Sequence, residues 1–202
     1  MSRVWQRFET PIGPHHHVFT SAVDPVKRLC KMRVTRKSAE VTSGVCDIKV
    51  MKTTQSGFDG YIRDKYTNLE PVAPGSKNPN RIMCTQMVAE WTYNSAPRSG
   101  YVAANEKILS TLLCTFAGPP TTGLYSKSLQ ETCYQMASEV LNKFPEVDEV
   151  YLETPNVHFY PYPLGQFGLT NPNTVFQSTD PQTTASGRII TRLSRKKPSS
   201  KL

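Results

Sequence analysis

The sequence predicts an α+β layer, an antiparallel sheet with two helices on one face. Three observations lead there. Two stretches repeat apolar residues at helical spacing: Ile108, Leu109, Leu112, Leu113 and Phe116, then Leu129, Cys133, Met136, Ala137, Val140, Leu141 and Phe144. Strand patterns flank this pair, Val45–Met51 and Arg81–Tyr93 before it, Val147–Phe159 and Ser186–Leu193 after it. Gly118-Pro119-Pro120 stops the first helix and separates it from the second. The order is strand, strand, helix, helix, strand, strand.

The first forty residues read as β structure without a complete domain. His17-Val18-Phe19 and Arg33-Val34-Thr35 are strand segments joined through a polar turn at Ala22–Pro25. A lone hairpin is marginal in water, so these strands need a sheet to join. Alternation puts His15 and His17 on one face, but no Asp, Glu or Cys stands near to complete a metal site.

Val45–Met51 sets Asp47 and Lys49 on one face and apolar residues on the other. In the loop that follows, Gly57 and Gly60 bracket Phe58 and free the backbone to present its ring, either as a core plug or against a flat ligand. Leu69–Pro79, with its prolines, is a loop. In Arg81–Tyr93, Arg81 shares a face with Met83, Thr85, Met87, Ala89 and Trp91. Its guanidinium at the strand mouth is a two-pronged donor, suited to a carboxylate or an amide-like ring edge.

Ser128 and Glu131 form a capping box at the second helix. The N–H groups of Leu129 and Gln130 then point outward, and the Gln130 amide adds a donor and an acceptor. In Leu152–Tyr160, Asn156 and His158 stand two residues apart behind Pro155, on one strand face, with Val157 on the other. An amide and an imidazole there can hold a small polar ligand and move a proton for it. Pro161–Asp180 reads as loop.

The bulk properties narrow the class. The chain has 202 residues, 38% of them hydrophobic and 9% aromatic, enough for a buried core. Five widely spaced cysteines without a Cys-x-x-Cys pair argue against a disulfide framework or zinc ribbon and for a reducing compartment. No apolar run reaches membrane-spanning length and no secretory signal opens the sequence, so neither membrane nor export is expected. The net charge is +8, and no acid follows Asp180. A basic surface fits nucleic acid or an anionic small molecule. Without a one-sided basic helix or an RNA-binding aromatic motif, nucleic acid is the weaker reading. The terminal Ser200-Lys201-Leu202 reads as a peroxisomal address.

The run Lys52-Thr53-Thr54-Gln55-Ser56-Gly57-Phe58-Asp59-Gly60-Tyr61-Ile62-Arg63-Asp64-Lys65-Tyr66-Thr67 resembles the signature of the urate oxidase (uricase) family. The resemblance continues through Phe116-Ala117-Gly118-Pro119, Ser128-Leu129-Gln130, Leu152–His158 and the terminal Ser-Lys-Leu. It implies the T-fold, in which the strand–strand–helix–helix–strand–strand unit occurs twice per chain. Residues 1–42 would then be the last two strands of a first unit, residues 43–195 a complete second unit, and residues 196–202 a basic targeting tail. The resemblance further implies a homotetramer in the peroxisome, delivered by its import receptor. It would oxidise urate with O2 and water to 5-hydroxyisourate and H2O2, without cofactor or metal. By the same resemblance Phe58 stacks on the purine, and Arg81 and Gln130 clamp its edge with the Leu129 N–H. Asn156 lies beside the position shared by oxygen and water, and His158 serves the proton relay. The family's catalytic Lys and Thr belong to the first unit and have no match in this sequence. The expectation is therefore that these residues alone do not turn urate over. The other reading is a non-catalytic purine-binding or assembly-interfering fragment.

Overall fold

The computed structural model describes residues 5–21, 26–58, 64–66, 81–172, 174–179 and 186–195. The elements are β1 (Trp5–Thr10), β2 (Gly13–Ser21), β3 (Lys27–Val34), β4 (Ala39–Lys52), β5 (Met83–Tyr93), α1 (Tyr101–Ala117), α2 (Leu129–Lys143), β6 (Val147–Pro155), β7 (Phe159–Pro161), β8 (Phe176–Ser178) and β9 (Arg188–Ser194). Seven strands make one antiparallel sheet in the order β1-β2-β4-β5-β6-β9, with β3 also pairing β4. Its β4-β5-β6-β9 portion with α1 and α2 is the expected unit.

The period-2 pattern of β5 decides which face is covered. Met83, Thr85, Met87, Ala89, Trp91 and Tyr93 are buried, while Gln86, Val88, Glu90 and Thr92 are half-buried on the other side. α1 packs on β4, and α2 on β6 and β9, so their apolar stripes close the core around Met87, Trp91, Leu112, Phe116, Met136 and Leu152. Each such fully buried side chain contributes roughly 1.5–3 kcal/mol. The opposite sheet face is polar and laced with ion pairs, Lys31 to Glu90 at 2.6 Å, Arg188 to Glu153 at 3.2 Å and Arg192 to Glu149 at 3.7 Å. On the N-terminal strands Lys27 pairs with Asp47 at 2.8 Å and Arg28 with Glu106 at 3.0 Å, so part of the basic surface is already locally balanced.

β4 runs for 14 residues and changes neighbour halfway. Ala39–Cys46 pairs with β3 and Val50–Lys52 with β2, while β5 lies along the other side. Between Val45 and Ile48 a bulge sets two β4 residues against one of β5. There Asp47 takes φ 62°, and its carboxylate is held by Lys27 and by Gln86 Nε2 at 3.1 Å. Lys27 foremost, then Gln86, holds that carboxyl below its ordinary value.

The helix ends follow from local chemistry. Gly118, at φ 76°, ends α1, with its N–H on the Cys114 carbonyl at 2.8 Å; a Cβ there would stand 2.5 Å from the Leu124 nitrogen. At α2 the Ser128 hydroxyl accepts from Glu131 N–H at 3.1 Å. The return half of the capping box is displaced by one residue, Glu131 accepting from Lys127 N–H at 3.0 Å. At the far end Arg195 donates to the carbonyls of Val147 (2.8 Å), Phe144 (2.9 Å) and Leu141.

The structure corrects several sequence expectations. Among the described residues, 1–42 carry three strands and the start of β4 rather than two strands, because Trp5–Thr10 forms β1 and β4 begins at Ala39. β1 escapes pattern reading because a register shift between Arg7 and Glu9 breaks its alternation. Arg81 and Ile82 precede β5 rather than opening it. β6 stops at Pro155 rather than running to Phe159, since proline offers no N–H to the ladder. Pro161–Asp180 is not all loop: a 3-10 turn at Leu164–Phe167 and β8, which pairs β7, lie in it. All five cysteines are free thiols. The expected turn at Ala22–Pro25, the loop Leu69–Pro79 and the tail with Ser200, Lys201 and Leu202 lie outside the described residues. Among the described residues no helix is long and apolar enough to cross a membrane.

Candidate active site

Six residues named from the sequence sit at the ends of elements, where backbone bonds tie distant segments together. Phe58 lies just beyond β4. Ser56 and Ser126 form a parallel bridge, with Gly57 N–H on the Ser126 carbonyl at 2.9 Å and Ser126 N–H on the Gln55 carbonyl at 3.0 Å. The same Ser56 binds Arg81 twice: its carbonyl accepts from Arg81 N–H at 2.7 Å, and its hydroxyl donates to the Arg81 carbonyl. One fully buried serine thus joins the Phe58 strap, the mouth of β5 and the connection entering α2. Gln55 takes φ 59°, an uncommon conformation for a non-glycine residue, and turns the strap out of the strand.

Ser128 caps α2 two residues after Ser126. Leu129 is buried and Gln130 exposed, and their N–H groups belong to the first turn, outside the helix's own ladder. The N-terminus therefore offers donors to an anionic or carbonyl-bearing ligand.

Asn156 and His158 follow the end of β6. Register with β5 survives the interruption at Pro155: Glu153 faces Val88, and Asn156 faces Thr85. Val157 is buried and donates its N–H to the Cys84 carbonyl at 2.9 Å, while Asn156 and His158 are half-buried. Asn156 N–H reaches the Gly187 carbonyl at 2.8 Å, and the Ser186 hydroxyl donates to the Asn156 carbonyl. His158 and Thr179 exchange bonds, His158 N–H to the Thr179 hydroxyl at 2.8 Å and Thr179 N–H to the His158 carbonyl at 2.8 Å. The His158 ring stacks on Tyr160 with centroids 5.8 Å apart. Burial first, then the charge of Arg81, lowers the His158 pKa from its ordinary 6.5, which keeps the imidazole neutral near pH 7 and able to accept a proton.

These ties bring the segments of Phe58 and Arg81 to the entry of α2, and place those of Asn156 and His158 against β5 a few residues beyond Arg81. The chemistry of the set is that of a flat, anionic, hydrogen-bonding ligand: an aromatic face, a guanidinium, an amide, helix N–H groups and a neutral imidazole. Among the described residues no three His, Cys, Asp or Glu side chains gather as metal ligands. Sequence reasoning missed the supports, Lys52, Ser56, Ser126 and Thr179. For Lys52 a signal existed, since it continues the buried parity of Ile48 and Val50.

An antiparallel sheet with two helices on one face defines a T-fold-like unit. The family model for uricase matches residues 41–188. A uricase from Danio rerio is 33% identical over 192 residues, covering 95% of this chain and 61% of the relative, and one from Arabidopsis thaliana is 35% identical over 172 residues, covering 81% and 53%. The crystal structure of uricase from Arthrobacter globiformis superposes with a TM-score of 0.72 at 29% identity, covering 96% of this chain and 61% of that one. The chain belongs to the uricase family. It spans between about half and two thirds of the length of these relatives.

Proposed function

We propose that this chain carries the urate-holding part of a urate oxidase site, for the reaction urate + O2 + H2O to 5-hydroxyisourate + H2O2. The observation that carries the reading is the convergence of the Phe58 strap, Arg81 and the entry to α2 on Ser56 and Ser126. Phe58 stacks on the purine plane, Arg81 and Gln130 clamp its edge, and the Leu129 N–H adds a donor. Asn156 holds water or oxygen beside the ring, and neutral His158 accepts a proton. A urate anion that has lost that proton is electron-rich enough to reduce O2, so the protein's work is orientation, proton removal and placement of oxygen. No cofactor is required in this scheme, because the substrate supplies both electrons.

Residues 1–42 act as part of a first T-fold unit, residues 43–195 as the second, and the assembled enzyme is a homotetramer. Ser200-Lys201-Leu202 directs it to the peroxisome through the import receptor, where the peroxide formed is removed. The relay's Lys and Thr have no match among these 202 residues. The test measures urate absorbance, O2 uptake and peroxide for the 202-residue chain and for the same chain fused behind the first half of a uricase relative. The expected result is urate binding by both and peroxide from the fusion alone. Binding by neither overturns the reading, whereas binding by both without peroxide from either identifies a non-catalytic purine-binding fragment.

A further inference from the structure

Lys52 ends β4 on its buried face and is 1% exposed. A lysine in that position loses the hydration of its ammonium, and burial lowers its pKa to about 8. Its partners are specific: Nζ donates to the Leu124 carbonyl at 2.7 Å and to the Ser126 hydroxyl at 3.0 Å, and lies 5.6 Å from the centre of the Phe116 ring. Leu124 and Ser126 belong to the connection between α1 and α2. β2 pins the same connection elsewhere, through His16 N–H on the Pro120 carbonyl at 2.9 Å and through the His17 ring, which leaves no room for a Cβ on Gly123. Ser126 is also the residue whose backbone bonds Gln55 and Gly57 in the Phe58 strap.

We propose that Lys52 is a positioning residue, a buried strut that fixes the spacing between the Phe58 strap and the N-terminus of α2. This rests on Phe58, Arg81, Leu129 and Gln130 forming the urate site. The strut acts through geometry, because two acceptors need two donors and a neutral amine still carries two N–H groups. Methionine would fill the space but leave the Leu124 carbonyl and Ser126 hydroxyl without that donor.

The experiment is amide hydrogen exchange on the 202-residue chain, comparing wild type, Lys52→Met and Leu112→Ala, with urate titrated into each. Leu112→Ala lowers global stability from the core without touching the connection. In Lys52→Met the Gly57 and Ser126 amides should exchange roughly tenfold faster relative to Trp91, as local opening does, and urate affinity should fall by a similar factor. In Leu112→Ala the ratio to Trp91 and the affinity should hold. If Lys52→Met does not fold, Ser126→Ala removes one acceptor and is read the same way. Exchange ratios in Lys52→Met matching those in Leu112→Ala overturn the strut. So does selective loosening without loss of affinity, provided wild type binds urate. Failure of wild type to bind is a failure of the urate reading, and the exchange ratios then decide the strut alone.

Discussion

His17 should make this protein acid-labile in a window where carboxylates do little. His17 is 8% exposed, its Nε2 has no hydrogen-bond partner among the described residues, and the His15 ring meets it edge-on with centroids 4.5 Å apart. Burial first, then the charges of His15, Lys52 and His16, lowers its pKa from 6.5 to about 4. The folded value lies below the unfolded one, so the unfolded chain takes up the proton first. Stability is then full above about pH 6.5, falls as the pH drops, and stops falling below about 4. At 1.36 kcal/mol per unit, the loss is about 3 kcal/mol, a large share of an ordinary domain's 5–15 kcal/mol. The assay is urea unfolding of wild type and His17→Gln at pH 4, 5, 6 and 7. His158, whose pKa is also lowered, acts with the same sign in both proteins and cancels in the comparison, whereas His15 touches His17 and the shift read is that of the coupled pair. The gap between the two stabilities should shift by about 3 kcal/mol from pH 7 to pH 4. Parallel curves across that range would refute the account.

Arg81→Lys keeps the charge and loses the planar fork, so urate affinity should weaken by roughly 1–3 kcal/mol in calorimetric titration; equal affinities remove Arg81 from the site. Arg195→Ala strips the donor from carbonyls at the end of α2 and should cost about 3 kcal/mol, lowering Tm by roughly 6–12 °C in calorimetry. A fall under about 2 °C would mean that water replaces the guanidinium there. Deleting Ser200–Leu202 from an N-terminally tagged chain should move its fluorescence from peroxisomes to cytosol; an unchanged distribution dismisses the tail as an address.

The helices were legible because Leu112, Phe116, Met136 and Val140 repeat at 3.6-residue spacing whatever their tertiary partners. β5 was legible because one sheet face is buried along its length. β1 was not, since its alternation is broken by a register shift that only its partner strand reveals. The end of β6 was written in Pro155, and its missing N–H outweighs the strand-like residues that follow it. At the site, residue types pointed to Phe58, Arg81, Gln130, Asn156 and His158, but their supports are backbone bonds between segments remote in sequence. Ser56 and Ser126 look like ordinary loop serines until the chain is folded and one meets the other.

The change of neighbour along β4 bears on how the chain folds. β3 and β4 meet through a tight reversal, Thr35 N–H on the Ser38 carbonyl at 2.8 Å, so their first pair closes over a handful of residues within microseconds. β2 reaches β4 by joining Val18–Thr20 to Val50–Lys52, and that longer loop costs about 2 kcal/mol more in closure entropy. β3 therefore takes its stretch of the β4 edge first. When the N-terminal hairpin arrives, Ala39–Cys46 is already occupied, so β2 pairs at Val50–Lys52 and its alignment is limited by that exclusion as well as by its own side chains. A chain lacking Lys27–Val34 would leave a longer edge open, and β2 would slide along it into misaligned pairings.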